Sequence, residues 1–133
     1  MKIRKNGVVL LGIIGVLVTT AAVVAASSMR RFDARTQTCR VFTRENAMAG
    51  YLTFHGVCKS CHSRENNKGA PFLHSESKTQ RGWSRVFEEM YPECAKNGSW
   101  GSLSEEDLLN LNDYLYVDAA NHFDPNAVGS CFG

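Results

Sequence analysis

The chain has 133 residues, of which 44% are hydrophobic and 21% charged, and its formal net charge is +2. This length has room for one domain. No basic run with interleaved aromatic residues occurs, which argues against a nucleic-acid-binding module. The chain also lacks a phosphate-binding loop and an evident pair of nucleophile and base, so its composition and motifs do not favour an enzyme that works without a cofactor.

The N-terminal segment, residues 1–30, is predicted to be a membrane anchor. Residues 8–26 are 19 consecutive residues without a charge, close to the roughly 20 residues that an α-helix needs to cross a bilayer. A secretory signal is the alternative, although the apolar region of a signal peptide is usually only about 7 to 15 residues long. Basic residues flank the stretch on both sides, so its charges do not set an orientation. Either reading places the domain outside the cytoplasm.

Residues 31–42 read as a polar connector, and residues 43–117 as the folded domain. Thr43 is a plausible N-cap for a helix that runs through Tyr51 and Phe54 towards the first cysteine pair. Gly50 lies in the middle of this helix, where glycine costs about 1 kcal/mol relative to alanine. A glycine at such a position indicates that another element packs closely against it.

A polar loop is predicted from Ser63 to Arg81, followed by a helix from Gly82 to Tyr91 that ends before Pro92. Residues 98–101 form a predicted turn. The last predicted helix begins at Ser104 with a capping-box pattern and runs through Tyr116. Residues 118–133 form a tail without a clear pattern. Since no segment shows convincing strand alternation, we expect an all-α fold.

The charges are distributed unevenly along the domain. Residues 35–85 carry nine basic and three acidic side chains, whereas residues 86–133 carry one basic and nine acidic side chains. A polarised surface suits transient docking to a charged partner. Two solvated faces of opposite sign explain the pattern equally well.

The stretch Cys58-Lys59-Ser60-Cys61-His62 carries the chemistry. Two cysteines two residues apart can form a redox dithiol, half of a zinc site, or the attachment point of a covalent haem. A zinc site needs a second ligand pair at metal spacing, and His74 and Cys94 stand alone. A thioredoxin-like dithiol expects a βαβ context. The histidine after the second cysteine, the predicted export and the helical surroundings all favour covalent haem.

The remaining cysteines are Cys39, Cys94 and Cys131. In an oxidising compartment, one disulfide and one free thiol is the simplest account of an odd number. The sequence leaves the pairing open.

From about Thr43 to Tyr116 the chain resembles a class I c-type cytochrome, in the small single-haem exported form. The resemblance rests on the CxxCH motif, the glycine and aromatic residue before it, a loop proline, a W-x6-M helix and a closing LS-x-x-D...YL helix. It implies a compact helical domain around one haem c that is attached through Cys58 and Cys61. Residues outside this stretch, and the Cys94 segment within it, depart from the family pattern.

The resemblance also implies the iron ligands and their supports. His62 would bind the iron, oriented by the carbonyl of Pro71, and Met90 would supply the sixth ligand from the helix that carries Trp83. His74 is the next candidate for the sixth position, and Met90 as an ordinary core residue is the alternative. Arg81 and Arg85 flank Trp83 and are candidate partners for the haem propionates, although a solvated helix face explains them equally well. Trp83 and Trp100 are candidates to line the haem pocket or to donate an indole N–H to a propionate, and buried aromatic packing is the alternative.

These expectations lead to an electron carrier rather than an enzyme. The predicted function is one-electron transfer on the periplasmic face of the cytoplasmic membrane, with a single-pass anchor. Membrane-bound or periplasmic redox proteins would be its partners, and a subunit of a redox complex is favoured over a free shuttle. If the sixth position were open, the domain would instead be a haem sensor or a binder of a small gas.

Overall fold

The computed structural model describes residues 29–120. Two short antiparallel strands, β1 (Arg30–Asp33) and β2 (Thr38–Val41), precede four helices. The helices are α1 (Arg44–Gly56), α2 (Gln80–Glu89), α3 (Glu93–Lys96) and α4 (Glu105–Val117), with single 3-10 turns at Cys58–Ser60 and Ser75–Ser77. The predicted helical fold is therefore confirmed in outline, with one addition. Residues 31–42, predicted to be a polar connector without strands, form a β-hairpin.

A carboxylate stabilises the turn that joins the two strands of the hairpin. In the register of the two strands Arg31 faces Arg40, and the tight turn between the strands is tied by Asp33, whose carboxylate accepts from the backbone N–H groups of Arg35 and Thr36. Strands of four residues carry too little pattern to be recognised as alternation. Tertiary contacts, rather than local propensity, therefore stabilise this hairpin.

Helix α1 begins and packs as predicted. The Thr43 side chain accepts a hydrogen bond from the Asn46 N–H at 3.2 Å, which makes Thr43 the N-cap. Gly50 and Phe54 are the buried residues of the helix, and they lie one turn apart on the face that packs against α4. The expected close contact at Gly50 is thus present, and its partner is α4.

Helix α4 is the central element of the fold. Ser104 and Asp107 form the predicted capping box, with the Asp107 N–H donating to the serine hydroxyl at 3.1 Å. Leu108, Leu111 and Leu115 are all at most 7% exposed and join the hydrophobic core. Because α1 packs on one side of α4 and α2 on another, this leucine stripe lies between them.

Helix α2 is shifted by two residues from its predicted position. It starts at Gln80 because Thr79 serves as N-cap and accepts from the Gly82 N–H at 3.1 Å. It ends at Glu89 because Met90 adopts a left-handed conformation, with φ of 49°, a common way for a helix to stop. Trp83, Val86 and Phe87 form its buried face. Helix α3, a single turn after Pro92, was not predicted.

A buried ionic cluster joins the hairpin to α4. Asp113 accepts from Arg31 Nε and from Arg40 Nε, both at 2.7 Å. Arg31 also donates to Asp33 at 2.7 Å and to the carbonyl of Leu109 at 3.2 Å. Arg31, Asp33 and Asp113 are each no more than 3% exposed. Basic side chains of the hairpin are therefore paired with an acidic side chain of α4 inside the domain.

Parts of the chain lie outside the described residues. Residues 1–28 of the predicted anchor and residues 121–133 of the predicted tail, with Cys131, fall there. Within residues 29–120, no helix combines the length and apolar character needed to cross a membrane. Cys39 in β2 is disulfide-bonded, whereas Cys94 is a free thiol.

Candidate cofactor site

The CxxCH stretch follows directly from the end of α1. The chain leaves the helix at Gly56 and turns through the 3-10 segment, where the N–H groups of Cys61 and His62 both bond to the carbonyl of Cys58, at 3.2 and 2.9 Å. This tight turn brings Cys58, Cys61 and His62 into the wall of one cavity. The structure therefore groups the three residues that the sequence singled out.

The His62 imidazole is held by the loop that follows. Its Nδ1 lies 2.7 Å from the carbonyl oxygen of Pro71. Because a carbonyl only accepts, Nδ1 carries the proton and Nε2 is the basic nitrogen of the ring. A metal-binding histidine is usually oriented in this way by a hydrogen bond to its other nitrogen. The predicted role of Pro71 has the geometry it requires.

Asn66 organises this loop, and sequence reasoning did not identify it. Its side-chain amide donates to the carbonyls of Ser63 and Ala70, both at 2.8 Å, and its carbonyl oxygen accepts from the N–H groups of Lys68 and Ala70. These bonds close the loop immediately before Pro71. The sequence predicted a polar loop here, but the position of Asn66 beside the imidazole depends on the fold.

The cavity itself is large and mainly apolar. Its volume is about 780 Å³, within the usual range of roughly 300 to 1,000 Å³ for small-molecule and cofactor sites. Phe54 of α1, Trp83, Val86 and Phe87 of α2, and Leu111 and Leu115 of α4 form much of its wall. All six are also core residues. The hydrophobic core of the domain is thus built around this space.

The two thiols of the motif differ in their surroundings. Burial raises the pKa of Cys58 to about 12. By contrast, the hydrogen bond with the Ser60 hydroxyl lowers the pKa of Cys61, and the ammonium group of Lys68, 3.5 Å from the sulfur, acts in the same direction. Cys58 also packs against the hydrophobic core.

Both tryptophans contribute to the cavity wall, as predicted. Trp83 is 3% exposed and donates its indole N–H to the carbonyl of Ser75 at 2.6 Å. The indole N–H of Trp83 is therefore already hydrogen-bonded within the protein. Trp100 stacks on Phe87, with 5.5 Å between ring centroids. The segment between α2 and Trp100 closes this side of the cavity.

The predicted sixth ligand lies apart from the cavity surface. Met90 is partly buried and packs against the core, but it is not among the described residues that line the cavity. Tyr91 and Cys94, further along the same segment, do line it, and neither was predicted from the sequence to bind haem iron. His74 caps the 3-10 turn at Ser75–Ser77 and does not line the cavity. The assignment of Met90 stays a prediction.

The predicted propionate partners also lie elsewhere. Arg85 donates from Nε and Nη2 to the two carboxylate oxygens of Glu89, at 2.9 and 3.0 Å, on the exposed face of α2. Neither Arg81 nor Arg85 lines the cavity. Among the described residues, the cations that do are Lys68 and Lys78.

Within residues 29–120, no three His, Cys, Asp or Glu side chains converge to form a metal site of their own. Comparisons with known protein families, curated protein sequences and solved structures find no match to this chain.

Proposed function

We propose that the protein is a single-haem c-type cytochrome that transfers one electron at a time. The observation that carries the proposal is the His62–Pro71 hydrogen bond beside a CxxCH turn in the wall of a large apolar cavity. The volume of the cavity, its apolar wall and its two thiols support a covalently attached porphyrin. When bound, haem c supplies a redox-active iron that accepts and releases one electron.

The residues around the cavity have separate tasks in this proposal. Cys58 and Cys61 would hold the cofactor through two thioether bonds. His62 would bind the iron through Nε2, while Pro71 keeps its Nδ1 proton in place. The apolar side chains of α1, α2 and α4 exclude water and lower the local dielectric, two of the factors by which proteins tune haem redox behaviour.

The resemblance and the apolar N-terminal stretch together support a periplasmic domain on a cytoplasmic-membrane anchor. The hairpin supports a fixed subunit of a membrane-bound redox complex over a mobile shuttle. It begins at Arg30, the last residue of the predicted anchor, and ion pairs from Arg31 and Arg40 to Asp113 bind it to α4. The segment that would have to be flexible in a tether is therefore packed against the domain. Partners of this kind would be membrane-bound or periplasmic redox proteins.

The proposal is tested by producing the full chain in a host that attaches haem c outside the cytoplasm. The wild type should retain haem after acid extraction and give the mass of the polypeptide plus one haem. Cys58→Ala with Cys61→Ala should lose all covalent haem. Cys94→Ala is the matched control, because Cys94 lines the cavity but lies outside the attachment motif. A wild-type protein without covalent haem would contradict the proposal.

A second candidate function is favoured by the position of Met90. Its side chain is not part of the cavity lining, and if it does not bind the iron, the sixth position would be open or weakly filled, as in a haem sensor or gas binder. Rapid carbon monoxide binding by the ferrous wild type would support the sensor. Loss of the weak far-red methionine-to-iron band in Met90→Ala, with Cys94→Ala unchanged, would instead support a closed, electron-transferring site.

A further inference from the structure

We propose that Lys78 binds a propionate of the cofactor and keeps that carboxylate ionised. This inference rests on the proposed haem site and adds a binding residue to it. It starts from a chemical requirement: haem c enters the cavity with two carboxylates, and a buried carboxylate is costly unless a cation or hydrogen-bond donors meet it.

The covalent structure of haem restricts where its carboxylates can lie. The vinyl positions, which form the thioethers, and the propionates occupy opposite edges of the porphyrin. Lys68 Nζ is 3.5 Å from Cys61 Sγ and therefore lies at the thioether edge. Of the two cavity cations among the described residues, Lys78 is the one left for the propionate edge.

The backbone of Lys78 is held in place. Its carbonyl accepts a hydrogen bond from the Ala120 N–H at 3.1 Å, and the next residue, Thr79, is the N-cap of α2. Lys78 Nζ lies 5.9 Å from the centroid of the Trp83 ring. The ammonium group is thus kept beside a wall of the cavity by its aromatic neighbour.

The charge of Lys78 is not neutralised by a protein carboxylate. In the described part of the chain, no Asp or Glu oxygen lies within ion-pair distance of its Nζ. Glu93 is the described carboxylate that lines the cavity, and it would repel a propionate. Trp83, which already donates to Ser75, has no N–H to offer. Lys78 is therefore the group suited to balance the negative charge of the cofactor.

The test compares haem-loaded full-length variants by redox titration from pH 5 to 8. Lys78→Gln should lower the midpoint potential, because a cation beside the haem stabilises the reduced, less positive state. It should also introduce a pH-dependent segment, since the propionate without its cation has a higher pKa. Lys78→Arg should match the wild type, and so should Lys96→Gln, which removes an exposed charge outside the cavity lining.

Further variants separate the possible results. Tyr91, Glu93, Cys94 and Lys68 are the other titratable described side chains on the cavity wall beyond the CxxCH motif. The new segment should persist in Lys78→Gln with Glu93→Gln, and its disappearance would assign it to Glu93 and overturn the inference. Equal potentials and pH profiles in Lys78→Gln and Lys96→Gln, both with covalent haem, would also overturn it.

Haem content distinguishes this inference from the function on which it rests. If Lys78→Gln loses its haem, Lys78→Arg must restore it, and loss from both variants would contradict a role for the charge. If the wild type itself carries no covalent haem, the proposed function fails, and the inference fails with it.

Discussion

Gly50 of α1 lies directly against the backbone carbonyl of Asn110 in α4. A Cβ atom at residue 50 would stand 2.0 Å from that oxygen and 2.7 Å from the Cβ of Tyr114. Backbone atoms of a helix cannot move aside as the end of a side chain can. The crossing of α1 and α4 therefore depends on glycine at this position, and through it the placement of Phe54 in the cavity wall.

Replacing Gly50 should destabilise the domain even though alanine is the better helix former. We expect Gly50→Ala to lower the free energy of unfolding by about 3 kcal/mol, the upper part of the range for overpacking, because the contact is with backbone. Gly56→Ala is the control, since nothing lies within 4 Å of a Cβ there. Urea unfolding measures both, and equal stabilities would show that the two helices can separate without cost.

The buried carboxylate of Asp113 should contribute more to stability than the exposed carboxylate of Glu105. Asp113→Leu leaves Arg31 Nε and Arg40 Nε without their carboxylate, and breaking a buried pair in this way costs about 3 to 5 kcal/mol. Glu105→Gln removes only an exposed partner of Arg35, a change worth about 1 kcal/mol or less. Thermal unfolding should rank the two variants in this order. A near-wild-type Asp113→Leu protein would mean that the hairpin is not clamped by its charges.

The same cluster predicts a dependence of stability on pH. Burial alone would raise the pKa of Asp33, but hydrogen bonds from Arg31 and Thr36 outweigh it and hold the pKa below the usual 3.8. A lowered pKa means that the carboxylate stabilises the fold above about pH 3.8 and that this stability is lost as the pH falls through the folded value. Urea unfolding from pH 7 to 3 should therefore show a steeper loss below pH 4 in the wild type than in Asp33→Asn. Parallel curves would show that Asp33 is not a source of the pH dependence.

The thiols should differ in reactivity before any cofactor is attached. In protein made without haem, Cys61 should be alkylated on the order of a hundredfold faster than Cys58 near pH 8, because the thiolate is the reactive form and burial suppresses it at Cys58. Cys94, whose pKa burial also raises, should react slowly as well. Timed labelling and peptide mass spectrometry measure the order, and denatured protein is the control in which the difference disappears. Equal rates in the folded protein would place Cys58 at the surface.

Local patterns predicted the helices well, because caps and periodicity are short-range. Thr43, Ser104 with Asp107, and the glycine at position 50 all have the predicted roles. The hairpin was missed because its strands are stabilised by Asp113, about 80 residues away along the chain. Such a contact leaves no local signal.

The candidate site was predicted only in part, because some of its contacts also depend on the fold and leave no local signal. The CxxCH motif, Pro71 and Trp83 are brought together around one cavity. Arg81 and Arg85 were selected by closeness to Trp83 in sequence, but α2 directs Arg85 towards Glu89. Lys78 and Cys94 were not assigned a role because their access to the cavity depends on where the loops before α2 and after it run.

A spectroelectrochemical redox titration of the purified full-length protein tests the central claim most directly. Covalent haem c at Cys58 and Cys61 should give a reversible transition between oxidised and reduced haem spectra that fits a one-electron process, and it should be absent from the double alanine variant. A wild-type protein with no such transition, or with a haem that cannot be reduced and reoxidised, would contradict the account.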